Sequence, residues 1–219
     1  MSEPVKDFDS VAGSYDDWYR HPQGLQVFKA EAALLSSLLP HRGLGLEVGA
    51  GTGVFAERLR GECCEIVCLD PSPGMLSKAR DRGLLAVIGL GDNLPFRSGA
   101  FSFAYMATVA EFLSDPVGVF REVRASSKTG SPLVILFINS GSLWGKFYTE
   151  IGLKGDPVFR HAVLLSLYEV ERLLLEAGYM AEAARGTLTT GPMEPKVGAE
   201  IASPSDSCGV IAVKAKPVS

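Results

Sequence analysis

The amino-acid sequence predicts an α/β fold in three layers, a mostly parallel sheet with helices on both faces. Three observations carry that expectation. Short apolar runs alternate with segments of helical period almost throughout the chain. The first run leads through a glycine-rich turn straight into a helix. The 219 residues, 47% of them hydrophobic, suffice for a core that needs no disulfide or metal to hold it.

The elements follow in chain order. Residues 1–23 carry Tyr15, Trp18 and Tyr19 and precede the first regular helix; such an arm either docks on the body or closes over open strand ends. From 24 to 39, Leu25, Phe28, Ala32, Leu35 and Leu39 recur at three or four residues, and Pro40 stops the helix. A strand is expected at 44–48, a helix from about 52 to 59, and a second strand at 64–69 that ends at Asp70. Pro71 and Pro73 open a helix that reaches about residue 82, where Gly83 closes it. Strands follow at 84–90 and 101–108, a helix at 116–123 and a very apolar strand at 133–139. Residues 141–165 break the alternation. An amphipathic helix, 167–177, then precedes strands at 179–184 and 210–214. The expected organisation is one domain: an N-terminal helical arm (1–40), a core (41–140), a helical insertion (141–165) before the final helix, and the remainder of the sheet (166–219).

Composition excludes several functions. With 25 acidic and 21 basic residues the formal charge is -4, and coating nucleic acid or anionic lipid needs a basic excess instead. Apolar runs such as 133–138 fall far short of the roughly 20 residues that span a bilayer. The start, MSEPVKDFDS, lacks a basic segment followed by an apolar one, so a cytoplasmic protein is expected. Cys63, Cys64 and Cys68 crowd one segment while His21, His41 and His161 are scattered, a spacing that suits no metal site. The thiols are expected to be reduced and packed as small hydrophobes, with a reactive Cys63/Cys64 pair as the alternative.

The informative stretch is GLEVGAGTGVF, 45–55. Gly49, Gly51 and Gly53 permit positive φ and close approach of a ligand to the backbone, and the helix behind them offers free N–H groups. A dinucleotide fingerprint requires a third glycine where Val54 stands, and no Gly-Lys-Ser/Thr phosphate loop exists in the chain. Glu47 beside the turn would repel a pyrophosphate and suits a ligand with an ammonium group. Asp70, at the end of the second strand, stands where this architecture places a carboxylate that accepts hydrogen bonds from ribose hydroxyls.

These residues resemble the class I S-adenosylmethionine-dependent methyltransferases, in particular the small-molecule branch of methyltransferase type 11 that includes quinone-biosynthesis enzymes. LEVGAGTG (46–53) is similar to the first motif of that family, IVCLDPSPGMLSKAR (66–80) to its ribose-binding strand and helix, and GDNLPF (91–96) to the segment lining the adenine. EFLSDP (111–116) with Glu122 resembles the region after the fourth strand, and FDSVAGSYDDWY (8–19) the lid. The chain departs from the family at Leu90, where an aspartate is usual, at Ser102, and at 125–131 before the fifth strand.

The resemblance implies a Rossmann-like sheet of seven strands with the last antiparallel, and S-adenosylmethionine as cofactor, leaving S-adenosylhomocysteine as product. It implies that Gly49, Ala50, Gly51 and Gly53 form the turn under the methionyl part, with Glu47 near its amino group. Asp70 would hold the ribose, Pro71 and Met75 would contact ribose and adenine, and Gly91, Asp92, Asn93 and Leu94 would line the far side of the adenine. Thr108 would present its backbone carbonyl near the sulfonium, and Tyr15 and Trp18 would close over the site. Methyl transfer needs alignment more than proton transfer, so no catalytic residue is assigned; His21, Tyr19, Glu111 and Tyr148 are polar candidates to face the substrate. The expected function is methyl transfer to a small-molecule acceptor by in-line displacement. Three alternatives stay open: a non-catalytic S-adenosylmethionine-binding regulator, an NAD-dependent oxidoreductase, and a nucleic-acid methyltransferase, which the acidic charge disfavours.

Overall fold

A computed structural model describes residues 3–63, 65–194 and 196–218. Its elements run α1 (Glu3–Val11), α2 (Asp17–Arg20), α3 (Pro22–Ser36), β1 (Gly45–Val48), α4 (Val54–Cys63), β2 (Ile66–Asp70), α5 (Pro73–Asp81), β3 (Leu85–Ile88), β4 (Phe103–Ala107), α6 (Pro116–Ser126), β5 (Leu133–Ile138), α7 (Leu143–Leu153), α8 (Leu167–Glu176), β6 (Tyr179–Thr187) and β7 (Val210–Pro217). The seven strands form one sheet in the order β3-β2-β1-β4-β5-β7-β6. All neighbours are parallel except β7, which runs antiparallel to both β5 and β6. The predicted three-layer sandwich with an antiparallel last strand is therefore the observed one.

The strand order reverses between β1 and β4, which leaves a crevice at their carboxyl ends where no crossover covers the sheet. Strands β1, β2, β4 and β5 are buried at every position, as expected for strands covered on both faces. One core layer packs Leu34 and Leu35 of α3, Phe55 and Leu59 of α4 and Leu76 of α5 against Cys68 and Tyr105 of the sheet. The other packs Phe120 and Val123 of α6 and Leu174 of α8 against Leu46, Met106 and Phe137. Side chains of this size contribute roughly 1.5–3 kcal/mol each on full burial.

Local chemistry sets the helix starts. Ser72 caps α5 by accepting from the Met75 N–H, and Pro73 opens the helix; Asp115 and Ser142 cap α6 and α7 in the same way, and Ser166 with Glu169 forms a reciprocal capping box on α8.

The expected N-terminal helical arm is present as α1 and α2 ahead of α3. Two expectations change. The helix expected over 24–39 begins at Pro22, and its buried residues include Val27, Ala30, Glu31, Leu34 and Leu35 while Leu25 is exposed, because α2 and the sheet together cover a broader face than the stripe through Leu25. The expected strand at 101–108 is shorter, with Phe101 making only an isolated bridge to Ser127. Lys128 donates to the Ser102 hydroxyl, so two of the departures from the family pattern contact each other far from the crevice. Cys68 and Cys208 are free and buried, and burial pushes the Cys68 thiol up, away from reactivity. The alternative reading of a Cys63/Cys64 pair falls partly outside the described residues.

Candidate functional site

The crevice at the β1/β4 switch opens into a cleft of about 1050 Å³, its mouth included. Its floor is the turn after β1. The Leu69 carbonyl at the end of β2 accepts from both Gly49 and Ala50 N–H, at 2.8 and 2.9 Å, which draws the turn toward the neighbouring strand. Gly49, Gly51 and Gly53 all have positive φ, 71°, 54° and 77°, but differ in what surrounds them. A side chain at Gly53 would strike Leu84 and Ala79, and one at Gly49 would strike Val109; at Gly51 there is only open space. Gly51 alone of the three bares its backbone to the cleft without a protein neighbour.

Asp70 closes the turn from the side. Its Oδ2 accepts from Gly51 N–H and its Oδ1 from Ser72 N–H, each at 2.8 Å. The side chain is 8% exposed, and burial raises its pKa against the pull of those two N–H groups. Each oxygen keeps a further lone pair for an incoming hydroxyl.

At the end of β4, Thr108 has φ 51°, a conformation that costs a β-branched residue of order 1–2 kcal/mol and that concentrates at functional sites. The Thr108 N–H donates to Leu136 and its hydroxyl to Ala107, which hold the backbone in place at the cleft wall.

Nine of the expected residues meet here: Tyr15, Gly49, Gly51, Asp70, Pro71, Met75, Gly91, Asp92 and Thr108. Six do not line the cleft. Ala50 is buried against the α3–α4 core, and Gly53 serves close packing of α4 on α5. Leu94 is buried in the opposite core and its N–H donates to Glu122; Asn93 is exposed beside it. Glu47 lies beneath the turn, 1% exposed, with Oε2 lacking any partner among the described residues. Burial pushes its carboxyl up to about 8, against the Tyr105 hydroxyl and Ala56 N–H that favour its charge. Trp18 stacks parallel to His21 at 6.3 Å and faces a second cavity, because α2 folds back onto α3 at Gly24, whose α-carbon lies too close to the Trp18 carbonyl for any side chain.

The arm covers one wall of the cleft. Pro4, Val5 and Phe8 of α1 line it, and Asp9 fastens α1 down by accepting from the Ser72 hydroxyl (2.6 Å) and Gly74 N–H (2.8 Å) at the start of α5. Asp16 accepts from the Thr52 hydroxyl and pairs with Arg82, which also reaches Glu57 and the Thr52 carbonyl. Docking and covering are thus one arrangement, made by residues on both sides of Tyr15.

The second cavity, about 1560 Å³ with its mouth, adjoins the first: Tyr15, Thr108 and Phe112 line both. Trp18, Tyr19, Trp144, Phe147, Tyr148 and Phe159 form its walls, with Tyr148 stacked on Phe159 at 4.2 Å. Of the polar candidates, Tyr19 and Tyr148 face this chamber. Glu111 lies buried with Oε1 accepting from Ile138 N–H at 2.6 Å, and His21 lines neither cavity. Sequence reasoning missed Glu31, which projects from α3 into the chamber. The available signal was a lone glutamate within the apolar run KAEAALL.

Residues 46–135 match the family described as a methyltransferase domain. An uncharacterized protein of Mycobacterium tuberculosis is 36% identical over 182 residues, 83% of this chain and 62% of that protein, so the chain spans less than two thirds of that relative's length. An uncharacterized protein of Methanocaldococcus jannaschii is 33% identical over 181 residues, 83% of this chain and 84% of that protein. In three dimensions the chain is similar to a crystal structure from Thermotoga maritima described as a SAM-dependent methyltransferase, possible histamine N-methyltransferase. The TM-score is 0.86 at 25% identity, covering 97% of this chain and 99% of that one.

Proposed function

The chain belongs to the class I S-adenosylmethionine-dependent methyltransferases and its cofactor is S-adenosylmethionine; from that premise we propose that it transfers the methyl group to a small-molecule acceptor by in-line displacement. The observation that carries this reading is the junction of the two cavities at Tyr15, Thr108 and Phe112. A cleft with the polar features of a nucleoside site and a separate, aromatic chamber share one wall, so two molecules bound side by side meet there.

The residues present fit the cofactor. Asp70 offers free lone pairs at the edge of the cleft for the ribose hydroxyls. Met75, Leu90 and Val119 give the apolar slot a flat base needs, and Asp92 stands at its rim where the family aspartate is replaced by Leu90. Gly51 leaves room beside the turn for the methionyl chain. Glu47, with its unpartnered oxygen directly under that turn, is placed to answer an ammonium group through the backbone or a water. When bound, the cofactor supplies a methyl group on a sulfonium, already activated toward a nucleophile.

The protein's own part is to hold, orient and exclude water. Thr108, fixed in a strained backbone, sets the wall that both ligands touch. Tyr15 lies across the junction, its ring 6.1 Å from Tyr19 and 6.3 Å from Phe8, and an electron-rich ring beside a sulfonium gains roughly 0.5–2 kcal/mol. The arm and the α7 region wall the reaction space, and alignment of this kind supplies about 7–11 kcal/mol of barrier reduction. The chamber's apolar lining and the absence of Lys or Arg among its lining residues favour a small organic acceptor over a nucleic-acid backbone.

The test is transfer of labelled methyl from S-adenosylmethionine to a panel of small metabolites, with Asp70→Ala as control. Label in a low-molecular-weight product, reduced in the variant at sub-saturating cofactor, supports the reading. Label found only in nucleic acid or protein contradicts the acceptor class.

A further inference from the structure

Glu31 sits on α3, one turn beyond Val27 and two beyond Gln23, and all three face the aromatic chamber. The side chain is 7% exposed, and among the described residues no hydrogen bond or ion pair reaches its carboxylate. Leaving a carboxylate buried and unpaired is costly unless something else satisfies it. Glu111 stands close enough to push the same way electrostatically, and its own Oε2 has no partner. Asp156 faces the chamber too, with Oδ1 engaged by Val158 and Phe159 N–H. Among the described residues, no Lys, Arg or His lines the space. The remaining wall is apolar, aromatic rings interleaved with aliphatic residues such as Val27, Ile138 and Ile151, and ring faces attract a cation.

We infer that the acceptor is an amine, whose ammonium group is received by Glu31 while its apolar part packs against the rings of Trp144, Tyr148 and Phe159; Glu31 takes one proton from it, the freed nitrogen lone pair forms the new N–C bond to the methyl carbon, and the C–S bond breaks to leave the neutral thioether. This assignment rests on the methyltransferase reading of the adjoining cleft. A neutral phenol or alcohol brings no charge to Glu31, and an anion finds no Lys, Arg or His among the described lining residues to receive it. Burial raises the Glu31 carboxyl to about 8, so a cation bound beside it is what holds that carboxyl in its charged form. Gln23 donates to the Pro192 carbonyl at 2.6 Å across the mouth, which holds the chamber's outer edge together.

The full chain, saturated with S-adenosylhomocysteine, is titrated calorimetrically with benzylamine, benzyl alcohol and benzoate, as wild type and as Glu31→Gln. The expected result is benzylamine binding at least about tenfold tighter than benzyl alcohol, no binding of benzoate, and loss of that preference in Glu31→Gln. The variant keeps side-chain size, and an unchanged affinity for S-adenosylhomocysteine shows that it is folded. Equal binding of amine and alcohol, a preference for benzoate, no saturable benzylamine binding, or an intact preference in the variant overturns the amine assignment and leaves the cofactor reading standing. Failure of wild-type protein to bind S-adenosylhomocysteine removes both.

Discussion

The Gly51 N–H donates to Asp70 Oδ2 at 2.8 Å, so the carboxylate at the end of β2 and the turn after β1 form one rigid corner. Asp70 therefore has two tasks, shaping the corner and accepting from a ribose. Asp70→Ala is expected to weaken S-adenosylhomocysteine binding by about 1–3 kcal/mol and also to lower the melting temperature, since it strands the Gly51 and Ser72 N–H groups. Asp70→Asn, which keeps one acceptor oxygen, should lose less affinity. Calorimetry on the three proteins checks the order; unchanged affinity in the alanine variant removes the ribose assignment.

Two glycines of the same turn should separate binding from folding. Alanine at Gly51 or at Gly53 carries the cost of a left-handed backbone, roughly 1–2 kcal/mol. Only at Gly53 does the new methyl also meet Leu84 at 2.5 Å and Ala79 at 3.0 Å. Gly53→Ala is thus expected to melt at the lower temperature while its folded fraction binds cofactor normally. Gly51→Ala, whose methyl enters the cleft, should lose affinity with the smaller loss of stability. Paired melting and binding curves decide, and equal effects at both sites would refute this division.

The turn and its partner were legible in the chain because spacing alone carries them: E-x-G-x-G-x-G between strand and helix, then an aspartate ending the next strand. Which glycine faces ligand was not legible, since Gly53 and Gly51 differ only in distant neighbours, Leu84 and Ala79 for one and none for the other. The seven strands were readable from apolar runs bounded by Gly, Pro and Asp. The helical arm was readable too, but not how it docks, because α1 is held by Asp9 on Ser72 and Gly74, 63 and 65 residues away. Glu31 escaped for a related reason. The apolar period points to the stripe through Leu25 as the buried face, whereas the buried residues of α3 include Val27, Glu31, Leu34 and Leu35.

Asp9 should act as the latch of the arm. The Ser72 hydroxyl and the Gly74 N–H hold its carboxyl below the usual carboxylate range. Asp9→Ala is expected to free α1, speed amide hydrogen exchange over residues 3–11, and raise the cofactor dissociation rate, because Pro4, Val5 and Phe8 line the cleft. An unchanged dissociation rate with faster exchange would show that α1 docks without gating.

The buried glutamates predict an unusual pH dependence of stability. Burial raises Glu31 and Glu47 to about 8 and Glu111 to about 7, against about 4.5 when unfolded. Between those values the unfolded chain has released protons that the folded chain retains, so stability falls as pH rises through the window. Asp70 shifts in the same sense. Asp7 and Asp9 shift oppositely, but their effect lies below the carboxylate range. The ligand-free protein should melt at lower temperature near pH 8 than near pH 5, as the pKa values of these glutamates require. Glu31→Gln should flatten the slope, and a melting temperature that rises across the interval would contradict the assignment.

The most direct measurement is a crystal structure of the full chain with S-adenosylhomocysteine bound. The ribose hydroxyls are expected on Asp70, the adenine between Met75 and Leu90, and the sulfur at the Thr108 wall facing the chamber of Trp144 and Tyr148. A ligand lying elsewhere, or one with its sulfur turned away from that chamber, would contradict this placement.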